Sequence, residues 1–261
     1  MLKTRIITAV IGIPILLGGL YLGGNYWRGV VILLAGAALL EYTAMMRRQG
    51  FKPIVIPACL ITLLLLFRVE LEQHLAGLFL AGWLLMIMFM VIKYPRFNFS
   101  DLAMSFFGAF YSGYLFSYAL AAPELQGAFL YVLLSLILTW ASDVGGYLFG
   151  ISWGKHKLSP QLSPGKTWEG AIGALILTII AAVSFKYIFG MEYLNLFYTI
   201  LLGVCASGAA QLGDLLESAL KRYFGVKDSG NLIPGHGGVL DRFDSLMLVL
   251  PTVYYLLVLF A

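Results

Sequence analysis

The stretch DLLESALKRYFGVKDSGNLIPGHGGVLDRFD, residues 214–244, breaks into an otherwise apolar sequence. It holds five of the chain's 13 acids, Asp214, Glu217, Asp228, Asp241 and Asp244, and four of its 17 bases, Lys221, Arg222, Lys227 and Arg242. An apolar run at 194–219 grades into it and another at 242–260 leads out of it. Charge next to lipid is costly, so packing does not account for such a cluster. Its residue types are those that handle phosphates and a divalent cation.

Beyond this stretch the chain is greasy. Of 261 residues 61% are hydrophobic and 11% charged, with mean hydropathy +0.89; a soluble domain carries about 25% charged residues. The chain is therefore read as an integral membrane protein, all-α and polytopic, because a backbone crossing lipid must satisfy its own hydrogen bonds. Runs near the roughly 20 residues needed for a crossing fall at 5–23, 27–46, 53–69, 74–92, 101–122, 128–150, 168–190, 194–219 and 242–260, which predicts about nine transmembrane helices. No small-residue cleavage site closes the first run, so it is read as an uncleaved helix rather than a signal peptide. The whole chain, 1–261, makes a single membrane domain. Helices of 1–125 form its body, and 126–261 hold the catalytic helices and loops. Cys59 and Cys205 lie in separate apolar runs and have no metal spacing.

The basic residues sort by membrane side. With the N-terminus cytoplasmic, fourteen of the 17 bases fall on the cytoplasmic side, and Arg28, Arg68 and Lys186 fall opposite. This is positive-inside sorting, and it explains the pI near 9.0 without nucleic acid. It also puts the loop at 151–167 on the same cytoplasmic face as the polar stretch.

Asp214, Glu217, Ser218 and Lys221 are spaced i, i+3, i+4 and i+7, one face of a helix. The carboxylates suit a cation and the lysine a phosphate. Asp241, Asp244 and Ser245 repeat the pattern at the start of the ninth run; helix capping explains one such acid better than two. Between them, Gly235, His236, Gly237 and Gly238 make a turn whose backbone N–H groups suit an anion. Gly165-Lys166-Thr167 invites a phosphate-loop reading, but Pro160 stands where that motif has its first glycine. Lys166 still has the reach for a phosphate, and Glu169 is read as a helix cap. Asp143, inside the sixth run, joins the metal site or holds one of the loop cations. Glu41, in the second run, is read as structural.

Ser218-x-Leu-Lys-Arg-x4-Lys-Asp-x-Gly-x2-Ile-Pro-x-His-Gly-Gly-Val-x-Asp-Arg-Phe-Asp244 resembles the hallmark of the phosphatidate cytidylyltransferases, the CDP-diacylglycerol synthases. The Ser142-Asp143 segment and the Ser163-Pro-x-Lys166-Thr-x-Glu169 loop resemble the bacterial type. The resemblance implies transfer of CMP from CTP to phosphatidic acid, giving CDP-diacylglycerol and pyrophosphate in phospholipid biosynthesis. It implies Mg²⁺ with a second, monovalent cation such as K⁺, held at Asp214 and Asp241 with Asp244 further out. It implies a homodimer in the bacterial inner membrane, with the active site facing the cytoplasm. Catalysis is expected of Asp214, Asp241, Asp244, Lys221 and Lys227. Substrate is expected at Ser163, Lys166, Ser218, Arg222, Asp228, Gly235, His236, Gly237, Gly238 and Arg242. Two rival readings bury carboxylates similarly: a CTP-dependent lipid kinase, and a cation-coupled transporter. Against the second, no duplicated halves are visible.

Overall fold

The structure, a computed structural model, describes residues 2–121, 127–235 and 237–260. Among the described residues the chain folds into nine α-helices and one antiparallel hairpin. In order these are α1 (Leu2–Leu22), α2 (Gly24–Arg48), α3 (Val55–Leu66), α4 (Leu75–Ile92), α5 (Phe99–Ser117), α6 (Gly127–Trp153), β1 (Lys157–Ser159), β2 (Ser163–Thr167), α7 (Trp168–Ile188), α8 (Leu196–Tyr223) and α9 (Leu240–Phe260). The protein is an all-α, multi-pass membrane protein. Among the described residues six helices, α2, α4, α6, α7, α8 and α9, are long and apolar enough to cross a bilayer.

Two of the other three expected spans, α3 and α5, differ from these six for separate reasons. Helix α3 has 12 residues, about 18 Å at 1.5 Å per residue, against a hydrocarbon core of about 30 Å. The apolar run from 53 to 69 loses its start to an extended entry and its end to turns. Helix α5 carries buried Asp101, Ser105, Ser112 and Ser117, so its inward face is polar, and Asp101, Ser105 and Ser117 are bonded to protein. Its start is a capping box: Asn98 accepts the Asp101 backbone N–H at 2.9 Å, and Asp101 accepts that of Asn98 at 2.9 Å. Asp101 also takes the Lys52 N–H at 2.7 Å, tying down the chain between α2 and α3. In α1 the apolar part with described side chains is Val10–Leu22.

The chain forms two compact units, Met1–Ala121 with Lys221–Arg242, and Ala122–Leu220 with Phe243–Ala261. In the first, Leu39, Ile54, Ala58, Ile61, Leu65, Met86, Leu102 and Ala109 from α2 to α5 form a buried apolar cluster. The Trp27 indole N–H reaches the Ala119 carbonyl at 2.7 Å. In the second, α6 and α7 meet along a glycine seam, where a side chain on Gly145 would strike the Gly173 carbonyl. Tyr131 of α6 donates its hydroxyl to the Leu250 carbonyl of α9 at 2.8 Å. The hairpin was not expected. It arises because Lys157 and Thr167 pair across a short turn, leaving Thr167 positioned to begin α7.

Candidate active site

In the first unit the polar stretch closes on itself around Asp241. Helix α8 ends in a Schellman turn: Gly225 has φ 65°, and the Val226 N–H returns to the Lys221 carbonyl at 2.9 Å. The chain then runs through exposed Lys227 and Asp228 to buried Ser229. Asp241, in the first turn of α9, gathers the loop. Its Oδ1 accepts from the Lys221 ammonium at 2.8 Å. Its Oδ2 accepts the Ser229 N–H at 2.9 Å, the Ser229 hydroxyl at 2.8 Å and the Gly238 N–H at 2.8 Å. The Asp241 and Lys221 side chains are 6% and 18% exposed, so their attraction is little screened by water. Gly237 sits at φ 88°, a left-handed conformation that favours glycine. Its carbonyl accepts the Ile233 N–H at 2.9 Å. The glycine turn therefore spends the Gly238 N–H on Asp241 rather than offering it to a phosphate. His236 lies outside the described residues. Arg222, Gly235 and Arg242 are exposed around the loop.

Glu41, read from sequence as structural, belongs to this network. Glu41 is 4% exposed, and its carboxylate accepts the Val239 and Leu240 N–H groups, each at 2.9 Å, with the Ser229 hydroxyl at 3.2 Å. Two unbonded N–H groups at the start of α9 are thereby satisfied by an acid on α2. The signal in the sequence was an acid inside an apolar run. Its partners, up to 199 residues away, gave no local sign.

In the second unit Asp214 and Lys166 form an ion pair at 2.6 Å. Lys166 stands near the end of β2, and Thr167 then caps α7 by accepting the Gly170 N–H at 3.1 Å. Glu169, expected as a cap, lies in the first turn of α7 and also reaches back to His156. The His156 Nδ1 lies 2.6 Å from Glu169 Oε1, and the His156 backbone N–H donates to Oε2 at 3.2 Å. Ser218 lies one turn beyond Asp214, with its hydroxyl 3.5 Å from Asp214 Oδ1. Between them Glu217 is fully buried. Gly213 brings α8 against α9: a Cβ there would sit 2.5 Å from the Asp244 carbonyl oxygen and 2.9 Å from the Ser245 Cα. Asp214 and Asp244 thus lie on helices whose backbones touch. Asp244 Oδ1 takes the Ser245 N–H at 2.6 Å. Asp143 is exposed on α6, and Ser163 begins β2.

Carboxylate oxygens suit Mg²⁺, which binds through one or two carboxylates plus substrate phosphates. Among the described residues no three His, Cys, Asp or Glu side chains converge. Asp214 and Asp244 fit such a sparse ligand set. Asp241 is the more heavily bonded, with three donors on Oδ2 and Lys221 on Oδ1; a cation can take Oδ1 by displacing Lys221.

A sequence model of the Cytidylyltransferase family matches residues 3–260. The phosphatidate cytidylyltransferase of Staphylococcus haemolyticus (strain JCSC1435) is 36% identical to this chain, over 98% of the chain and 99% of that protein. The phosphatidate cytidylyltransferase of Bacillus subtilis (strain 168) is 34% identical, over 100% and 99%. That of Staphylococcus aureus (strain COL) is 38% identical, over 98% and 99%. With the match running almost end to end, and the lysine-held aspartates lying inside it, the chain belongs to the cytidylyltransferase family.

Proposed function

We propose that the protein transfers CMP from CTP to phosphatidic acid. A phosphate oxygen of the lipid attacks the α-phosphorus of CTP. The new P–O bond forms as the bond to the bridging oxygen breaks, and pyrophosphate leaves with that electron pair. The observation that carries this reading is end-to-end similarity to proteins named for that reaction, in a chain whose conspicuous polar groups are paired aspartates and lysines.

Both reactants are anions, so the protein's first task is to offset their repulsion. Lys166, Lys221, Lys227, Arg222 and Arg242 supply that charge, the arginines as two-pronged donors to phosphate oxygens. Ser163, Ser218, Asp228 and the turn at Gly235 and Gly237 border the substrate groups. A general base is unnecessary, because a phosphate monoester is already largely ionised near neutral pH. Asp214 and Asp244 would hold Mg²⁺, beside a monovalent ion such as K⁺, and Asp241 takes a cation by releasing Lys221. Bound there, Mg²⁺ supplies charge stabilisation to a phosphoryl oxygen and to the leaving group. Asp143 holds a loop cation from α6. The protein works as a homodimer in the bacterial inner membrane, with its N-terminus and polar loops in the cytoplasm, where CTP is found. Fourteen bases on that side support this orientation.

The test uses purified protein, phosphatidic acid, Mg²⁺ and CTP labelled at the α-phosphate. Label in a chloroform-soluble liponucleotide is the expected result. Label left in aqueous CDP, with phosphate gained by the lipid, would overturn it in favour of a kinase. Cysteines placed at exposed Lys155 and Lys227 should react with impermeant reagents from the cytoplasmic face.

A further inference from the structure

We propose that Glu41 is a positioning residue of the transferase: from α2 it fixes the start of α9 and, through Ser229, the orientation of Asp241. This rests on the transfer reading above.

Three observations converge. First, α9 begins after Val239, whose side chain has no acceptor, so the usual local cap is absent. Glu41 fills that role from another helix, with one oxygen on the Val239 N–H and the other on the Leu240 N–H, both at 2.9 Å. A carboxylate is well suited to this end of a helix, where the backbone dipole is positive. Second, the Ser229 hydroxyl lies 2.8 Å from Asp241 Oδ2 and 3.2 Å from Glu41 Oε2. It has a single proton, so it bonds one acid at a time and couples the two. Third, the space is shaped around Glu41. A Cβ on Gly230 would lie 2.6 Å from its Oε1, and one on Gly238 would strike its Oε2. Glu41 acts on the Asp241–Lys221 pair through Ser229 and the α9 backbone.

The experiment compares Glu41→Gln with Met86→Ala, a change to a fully buried core side chain in the same unit, in detergent or nanodiscs. Glu41→Gln should lower kcat about 10–100-fold, the usual range for groups that orient a working side chain. It should move the KM for CTP less, and speed amide exchange at Val239 and Leu240. Met86→Ala, at an equal or greater loss of thermal midpoint, should keep most of its turnover. Ser229→Ala combined with Glu41→Gln should lose little more than the worse single variant, as coupled residues do. If Glu41→Gln does not accumulate, Glu41→Asp keeps the charge on an arm too short for both N–H groups and is read the same way. Turnover matching the Met86→Ala control, losses that multiply in the double variant, or unchanged exchange at Val239 and Leu240 would each overturn the proposal. Should the unaltered protein make no liponucleotide, the transfer reading fails, while the exchange measurement still decides whether Glu41 holds α9.

Discussion

The two aspartate–lysine pairs invite comparison because they share chemistry and differ in setting. Asp241 accepts from the Lys221 ammonium and three donors of Ser229 and Gly238, and its side chain is 6% exposed. Asp214 meets Lys166 at 2.6 Å with its side chain 38% exposed, and its second oxygen has a long contact to Ser218. One carboxylate is built into a loop. Among the described residues the other has one short contact, to Lys166, which a phosphate can draw away. Either lysine can therefore be exchanged, but Asp241 stays fixed in its loop through Oδ2, whereas Asp214 keeps among the described residues a long contact to Ser218.

Changing Asp241 should have the largest effect. Asp241→Asn takes a carboxylate at 2.8 Å away from the Lys221 ammonium in a mostly buried place, so it should cost about 3 kcal/mol of stability and nearly all turnover. Thermal denaturation and the liponucleotide assay, run together, check both; a stable and active variant would end the framework role. Asp214→Asn should also lose most activity at any Mg²⁺ concentration, but with at most about 1 kcal/mol lost, because its ion pair is partly in water. A large stability loss there would erase the contrast between the two sites. Chelation by EDTA should abolish turnover, and added Mg²⁺ should restore it in the unaltered protein but not in Asp214→Asn. Lys227→Ala should weaken use of CTP or lipid more than Lys52→Ala, an exposed control; equal effects would make Lys227 a topology signal. Thr167→Ala should be the smallest, about 1 kcal/mol from a lost cap, seen as a lower thermal midpoint with the hairpin loosened beside Lys166.

Much of the local placement of the candidate residues was legible in the sequence. The i, i+3, i+4, i+7 series from Asp214 to Lys221 lies on a helix, as its spacing required, and Asp241 does sit in the first turn of α9. The pairings were not legible. Lys166 is 48 positions from Asp214, and a lysine read as a phosphate ligand gives no sign of which acid holds it. Glu169 looked like a cap, yet Thr167, two residues earlier, has the extended backbone a cap needs. Gly238 looked like a phosphate donor, yet its N–H goes to Asp241.

Composition and hydropathy, being local sums along the chain, determined that this is a helical membrane protein and where its charged stretch must begin and end. Packing decided the rest. It cut α3 to 12 residues, turned the polar face of α5 inward, and brought Glu41 to an α9 start 198 residues on. The reason is physical: helix formation depends on neighbours a few residues apart, whereas a buried carboxylate is tolerated where the whole fold delivers enough donors to it.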